Sequence, residues 1–328
     1  MPTYDFFAES SVLVTGGTGS FGQTFVRRLL TESKARRVIV FSRDELKQLQ
    51  MRAVIPDPEE RLRFFIGDVR ERDRLQRAFH GVDFVVHAAA LKQVPALEYN
   101  PFEAVKTNIL GTQNVVEAAV DQGVKKVVFV STDKAANPAN LYGATKLCAE
   151  KLCLSGNAYG ARKTLFSVVR YGNVIGSRGS LVHLIRERRS SGEIPLTHEE
   201  MSRFWITLDQ GVNLVLLALE RMRGAEIFVP KIPSMRVKDV IKVMAPECRI
   251  KVVGIRPGEK MHEVLVTPEE ARRTKEYDTY FAILPEYEWW GKEHYLDGKS
   301  LPDGFVYSSN TNSQQLDPAG LQAFLSTV

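Results

Sequence analysis

The stretch "SVLVTGGTGSFG", Ser11 to Gly22, decides the fold. An apolar run ends in glycines and gives way to a helical pattern over Phe21 to Thr31, with Phe25, Val26, Leu29 and Leu30 on one side. Gly17, Gly19 and Gly22 fit G-x-G-x-x-G, and Gly16 lengthens the run. Strand, tight turn and helix start in that order form a cradle for a pyrophosphate. The glycines permit close backbone approach, and the helix N-terminus offers unpaired N–H groups and a partial positive charge. Gly16, Gly17, Thr18, Gly19, Ser20, Phe21 and Gly22 are therefore the expected cofactor contacts.

Further strands follow outward from that loop. "RVIVFSR", "LRFFIGDV", "VDFVVHAAA", "KKVVFVST" and "TLFSVVRYGNV" are short buried runs, most of them separated by helical patterns. Pro101 to Gln122 reads as one long helix. This alternation predicts an α/β fold, a doubly wound parallel (Rossmann) sheet covered on both faces. After Gly176 the rhythm changes. A basic helix, "SLVHLIRERR", precedes an expected loop, "SSGEIPLTHEEMSRFW". "LDQGVNLVLLALERM" is an amphipathic helix, "EIFVPK" a strand and Val237 to Met244 a short helix. From Pro285 the tail reads as irregular, and its Trp289 and Trp290 have the character of packing residues. The expected division is a dinucleotide-binding domain over 1–175 and 203–232, interleaved with a smaller substrate-binding lobe over 176–202 and 233–328.

Composition narrows the function. The formal net charge of +5 arises from scattered Lys and Arg interleaved with acids, which reads as a mixed solvated surface and not as a nucleic-acid interface. The excess still suits small anionic ligands. Three cysteines, Cys148, Cys153 and Cys248, form no CxxC, as expected in a reducing compartment. The start, "MPTYDFFAESSVLVTGG", lacks a basic segment followed by a long apolar core. No apolar run reaches the roughly 18 residues of a membrane span. A cytoplasmic protein without membrane contact is expected. The six histidines do not cluster at metal-ligand spacings, so no metal is expected, and His87 reads as a satisfied core group.

The end of the second strand selects the dinucleotide. An acidic residue there would accept from the ribose 2′-hydroxyl of NAD. Here "SRDELK" places Ser42 and Arg43, with Lys47 a turn further on, and an arginine suits a 2′-phosphate. NADP is the expected cofactor, although Asp44 follows at once. Asp68 and Val69 after the third strand, and Ala88 after the fourth, complete the expected cofactor contacts.

The chemistry lies in "STDKAANPANLYGATK", Ser131 to Lys146. Tyr142 and Lys146 are four apart on a helix, so their Cβ atoms lie about 6 Å apart on one face. The Lys146 ammonium would lower the phenol's pKa and could hold a nicotinamide ribose. Thr132 would hydrogen-bond a substrate hydroxyl. This pattern suits hydride chemistry, but Asp133 and Lys134 are one pair more than that chemistry needs.

"TGGTGSFG", "HAAA", "VST" and "YGATK" resemble the extended short-chain dehydrogenase/reductase superfamily. "SRDELKQ", "GDVR", "HAAALKQVPALEYNP", "STDKAANPANLYGATK", "RYGNVIGSRGS", "RFWITLDQGV", "EIFVPKIPSM" and "GIRPGEK" are similar to the inverting UDP-N-acetylglucosamine 4,6-dehydratases of pseudaminic-acid biosynthesis. The resemblance implies bound NADP, a UDP-sugar substrate and a homo-oligomer, commonly a hexamer. It also gives the extra pair a role. Tyr142 would take the C4 hydroxyl proton as a hydride leaves for NADP. The C5 proton, now α to a ketone, could pass to Lys134 while Asp133 protonates the departing C6 hydroxyl. The hydride would return to C6, and a proton delivered to the other face would invert C5, giving UDP-2-acetamido-2,6-dideoxy-β-L-arabino-hex-4-ulose. Retaining relatives carry Asp–Glu at this place, so the lysine points to the inverting branch. Lys134 must then be neutral, with its pKa lowered, and Asp133 must hold a proton. Expected substrate contacts are Lys92, Asn173, Arg178, Gly179, Ser180, Arg256 and Glu259. The rivals are a UDP-sugar 4-epimerase, a 5-epimerase and a non-catalytic dinucleotide-sensing regulator.

Overall fold

A computed structural model describes residues 4–159, 163–176, 180–287 and 297–325 of the chain. The first half alternates strand and helix: β1 Ser11–Thr15, α1 Ser20–Glu32, β2 Arg37–Ser42, α2 Glu45–Val54, β3 Leu62–Ile66, α3 Arg72–Ala78 and β4 Phe84–His87. Two short helices follow, α4 Val94–Tyr99 and α5 Pro101–Ala104. Then come α6 Gly111–Asp121, β5 Lys126–Val130, α7 Leu141–Tyr159, β6 Leu165–Val169 and β7 Asn173–Val174. The second half contains α8 Leu181–Arg188, β8 Glu193–Leu196, β9 Ser202–Ile206, α9 Leu208–Arg221, β10 Ile227–Pro230, β11 Ser234–Arg236 and α10 Val237–Met244. It ends with β12 Arg249–Val252, β13 Val264–Val266, α11 Pro268–Ala271, β14 Thr274–Glu276, β15 Tyr280–Ile283, β16 Lys299–Ser300, β17 Tyr307–Ser308 and α12 Pro318–Leu325.

The central sheet runs β3-β2-β1-β4-β5-β6-β10-β15-β14-β16. From β3 to β10 every pairing is parallel, as the strand–helix alternation predicts. The strand order reverses beside β1, and ligands of such sheets bind outside the strand ends at that crevice. The β1 side chains from Ser11 to Thr15 are all buried, as are Phe25, Val26, Leu29 and Leu30 on the inner face of α1. A run apolar on both faces is what a strand covered by helices on both sides requires.

Three differences from the sequence reading have physical causes. The long helix expected over Pro101 to Gln122 contains a π-helical segment, Val105–Leu110, between α5 and α6. There the Asn108 side chain leaves the helix surface to bond the backbone of Leu91 and the hydroxyl of Thr145. Such local widening often accompanies a functional wall. The loop expected over "SSGEIPLTHEEMSRFW" holds β8 and most of β9. Ile194 and Leu196 alternate inward while β8 pairs in parallel with β12, and Pro195 between them hid the signal. Finally, β14, β15 and β16, which fall in the span expected to form the smaller lobe, extend the central sheet by antiparallel pairing. A second apolar cluster gathers Val182, Ile185, Ile194, Trp205, Ile241 and Leu321 into a core of their own. Among the described residues no helix is long and apolar enough to cross a membrane.

Candidate active site

A cavity of about 650 Å³ opens at the strand ends beside the order reversal. Of the glycine loop, Gly16, Thr18, Gly19, Ser20, Phe21 and Gly22 line it. Gly16 has φ +66°, and a Cβ there would sit 2.8 Å from the Ala89 nitrogen. A Cβ on Gly22 would lie 2.5 Å from the Gly17 backbone, so the loop closes only with both glycines bare. Gly17 itself does not line the cavity; it packs below, toward Val14 and Val40. The α1 N-cap is Gly19, with no side chain to occupy the first N–H groups. The bare loop, the uncapped helix start and the cavity's size fit the pyrophosphate and ribose of a nicotinamide dinucleotide.

Ser42, Arg43, Asp44, Lys47, Asp68, Val69 and Ala88 all line the same cavity. Asp44 is otherwise engaged: it caps α2 by accepting from the Lys47 backbone at 2.9 Å, and it pairs with the Lys47 ammonium at 2.6 Å. Arg43 is half exposed and reaches Asp68 at 3.4 Å. Asp68 is gripped more firmly by Arg70, which the sequence reading missed, at 2.7 Å. Burial raises the Asp68 carboxyl, but the Arg70 bonds outweigh it and hold the group below the ordinary carboxylate range.

The turn after β5 and the start of α7 bring the reactive groups together. Asn140 accepts from the Gly143 N–H at 2.9 Å and so caps the helix. Thr132, Lys134, Tyr142 and Lys146 line the cavity, as does Ser131. Asp133 does not: it is 0% exposed, behind Lys134. Its Oδ1 accepts from Lys134 Nζ at 3.0 Å and from Thr132 Oγ1 at 2.9 Å, while Oδ2 has no hydrogen-bond partner among the described residues. Burial and the nearby Glu263 raise the Asp133 carboxyl against the pull of Lys134. That direction is the one a general acid requires.

Two electrostatic expectations are corrected. Lys134 is not lowered. Although burial works against its ammonium, Asp133 and Glu263 hold it above the ordinary lysine range. Nor is the Tyr142 phenol lowered, and Lys146 is engaged elsewhere. Its Nζ donates to the Val130 carbonyl at 2.8 Å and sits 3.9 Å from the centre of the Phe129 ring. Burial lowers Lys146 to about 7, with Glu150 and Cys153 pulling the other way. Burial raises the Tyr142 phenol to about 12, and the groups that pull it down are Lys134 and a Thr132 hydrogen bond. The ammonium acting on the phenol is thus the one beside Asp133.

Of the expected substrate contacts, Lys92, Asn173 and Ser180 line the cavity. Asn173 also accepts from Lys134 Nζ at 3.3 Å. Burial, and then the Lys134 charge, lower Lys92. Arg178 and Gly179 lie outside the described residues, as do Trp289 and Trp290. Arg256 is exposed in a turn that docks on Asn140 through the Gly258 carbonyl, and it does not line the cavity. Glu259, in the same turn, faces Arg203 at 3.5 Å. His87 bonds Thr15 at 2.7 Å and Thr112 at 3.1 Å inside the core, and burial lowers it to about 3. Among the described residues no cluster of possible metal ligands occurs. Sequence reasoning missed Glu263, Arg203 and Lys260. Arg203 and Lys260 lie in the quoted stretches "RFWITLDQGV" and "GIRPGEK" and Glu263 just beyond, but only the fold carries them to Lys134.

The family described as "Polysaccharide biosynthesis protein" matches residues 12–285. A Campylobacter jejuni protein named UDP-N-acetylglucosamine 4,6-dehydratase (inverting) is 48% identical over 316 residues, covering 93% of this chain and 94% of that one. A Rickettsia canadensis protein named UDP-glucose 4-epimerase is 40% identical over 286 residues, covering 84% and 83%. Among solved structures, Pen from Bacillus thuringiensis superposes with TM-score 0.89 at 38% identity, over 98% of this chain and 100% of that one. The dTDP-glucose 4,6-dehydratase DesIV of Streptomyces venezuelae, solved with NAD bound, superposes with TM-score 0.69 at 26% identity, over 76% and 86%.

Proposed function

The chain belongs to the polysaccharide biosynthesis proteins, on the extended short-chain dehydrogenase/reductase fold, and from that premise we propose that it is a C5-inverting, NADP-dependent UDP-N-acetylglucosamine 4,6-dehydratase. The observation that carries the reading is the convergence of two reactive groups on one cavity: Tyr142, and a lysine backed at 3.0 Å by a fully buried aspartate. Nucleotide-sugar oxidation alone would use only the first.

The dinucleotide, when bound, would supply oxidation at the sugar's C4 and return of the same hydride to C6 after water has left, with no net redox change. Tyr142 Oη takes the C4 hydroxyl proton. Once C4 is a ketone, the C5 proton is acidic enough for Lys134 Nζ to remove. Asp133 supplies the proton with which the C6 oxygen departs as water. Because Asp133 is sealed from the cavity, that proton passes through Thr132 Oγ1 or Lys134 Nζ, the two groups that Asp133 Oδ1 touches. Lys134 Nζ touches Asp133 Oδ1 at 3.0 Å, so one proton can move between them, and a charged resting lysine is compatible with an amine in the working tautomer. A proton returned to C5 on its other face inverts that carbon.

Ser42, Arg43 and Lys47 at the end of β2 favour NADP over NAD, since Asp44 is spent on the α2 cap. Lys92, Asn173 and Ser180 would hold the sugar. Arg178 and Gly179 would meet the diphosphate, with Arg256 and Glu259 reaching the nucleotide only if their turn moves. The two lobes would divide cofactor from substrate, the chain would act in the cytoplasm as a homo-oligomer, and its product would feed pseudaminic-acid biosynthesis.

The similarity to proteins named UDP-glucose 4-epimerase favours a second reading, 4-epimerisation. Incubation with UDP-N-acetylglucosamine in deuterium oxide, followed by mass spectrometry and NMR of the product, separates the two. Dehydration gives loss of one water, deuterium at C5 and an inverted C5. An intact mass with inverted C4 would overturn the dehydratase reading.

A further inference from the structure

The Lys134 ammonium lies between two carboxylates. Asp133 Oδ1 is at 3.0 Å and Glu263 Oε1 at 3.4 Å. Glu263 stands at the head of β13 and is 2% exposed. Its backbone N–H donates to Ser309 Oγ at 3.0 Å. On its far side are Arg203 of β9, at 3.8 Å, and Lys260, at 3.5 Å. Among the described residues Glu263 therefore forms ion pairs with three cations, and Asp133 with one. Two carboxylates cannot both be fully neutralised by a single shared ammonium, so the better-paired one keeps its charge and the other is pushed toward protonation.

Resting on the dehydratase reading, we propose that Glu263 is a positioning residue of the reaction: it shares the Lys134 ammonium and, by repelling the Asp133 carboxylate, leaves Asp133 as the proton carrier of the pair. Among the described residues each carboxylate leaves one oxygen buried without a hydrogen-bond partner, Asp133 Oδ2 and Glu263 Oε2, so the distinction between them lies in the cations: Arg203 and Lys260 face Glu263 and form no ion pair with Asp133. The directions of the charge effects agree. Against burial, Lys134, Arg203 and Lys260 hold Glu263 below the ordinary carboxylate range, while Glu263 adds to the burial that raises Asp133. The groups facing Lys134 from the other packed elements are Tyr142 on α7, Lys92 after β4, Arg203 and Lys260.

The test reads Asp133 directly. In protein carrying carbon-13 at aspartate carboxyls, the Asp133 signal is identified by its disappearance in Asp133→Asn. Glu263→Gln should move its titration midpoint down by about one unit or more, the effect of deleting a charge at this range. Glu263→Asp should stay near wild type. Lys260→Gln, which removes a cation, should move the midpoint up, and it serves as the second variant if Glu263→Gln fails to fold. In turnover, both limbs of the kcat pH profile of Glu263→Gln should shift to lower pH together, because Asp133 and Lys134 each lose a neighbour that favoured their proton. A kcat lowered equally at all pH values, with the Asp133 midpoint unmoved, would mean a merely structural glutamate and would overturn the proposal. If the midpoint moves as expected but the wild type removes no water from UDP-N-acetylglucosamine, the dehydratase reading fails and the charge assignment stands.

Discussion

Lys134 and Lys146 are twelve positions apart and do opposite things. Lys146 is buried on the Phe129 ring and hovers near neutrality, at about 7. Lys134 is held charged by its two carboxylates and acts on Tyr142. A spacing rule placed Tyr142 and Lys146 on one face of a helix, but it could not say where the ammonium points. That depends on the Val130 carbonyl, which the sheet supplies. At β2 the decisive residue is Arg43, half exposed and held only loosely by Asp68 at 3.4 Å. A charged hydrogen bond to a 2′-phosphate contributes about 1.5–3 kcal/mol. Arg43→Ala should therefore weaken NADP binding roughly ten- to a hundredfold, with NAD binding nearly unchanged, as read by calorimetry on both dinucleotides. Equal loss for both would remove the argument for NADP.

The reactive elements are positioned by close backbone approach. Gly143, one residue after Tyr142, faces the Lys134 carbonyl so tightly that a Cβ there would collide with its oxygen. The first turn of α7 and the Asp133–Lys134 turn are thus fixed against one another through a glycine. Gly143→Ala should cost about 1–3 kcal/mol of stability and displace Lys134. The expected result is a lowered Tm together with a fall in kcat of at least tenfold, while dinucleotide binding persists. A stable variant with wild-type kcat would show that this contact does not set the geometry. The strands, glycine loop and α7 were legible in the sequence because their signals are local: apolar runs, glycine spacing and a four-residue step. The π-helical segment was not legible, since it arises from Asn108 bonding Leu91 and Thr145 across the fold. Nor were β14 and β16, whose few residues, such as "TKE", carry no alternation long enough to read.

At the scale of the molecule, a parallel sheet of Rossmann order is carried on past β10 by antiparallel strands from the C-terminal part of the chain. A buried ion triad ties the two parts together behind the site. Arg170, after β6, bonds Glu150 of α7 at 2.6 Å and Glu270 of α11 at 2.9 Å, and Ser131 of the cavity wall donates to Glu150 at 2.6 Å. Sequence reasoning reached the first half of the site, where cofactor and reactive residues follow one another along the chain. It did not reach Glu263, Arg203 and Lys260, because they arrive from more than sixty residues away and nothing in their own segments points to Lys134. The central claim is that this assembled site makes a ring carbon acidic and lets the Asp133–Lys134 pair strip it. The most direct measurement compares wild type and Lys134→Ala, loaded with NADP, on UDP-N-acetylglucosamine by mass spectrometry and absorbance. The account predicts that wild type releases one water per sugar, while the variant binds the dinucleotide, shows reduced-nicotinamide absorbance and leaves the sugar's C6 oxygen in place. Normal water loss by Lys134→Ala would contradict it.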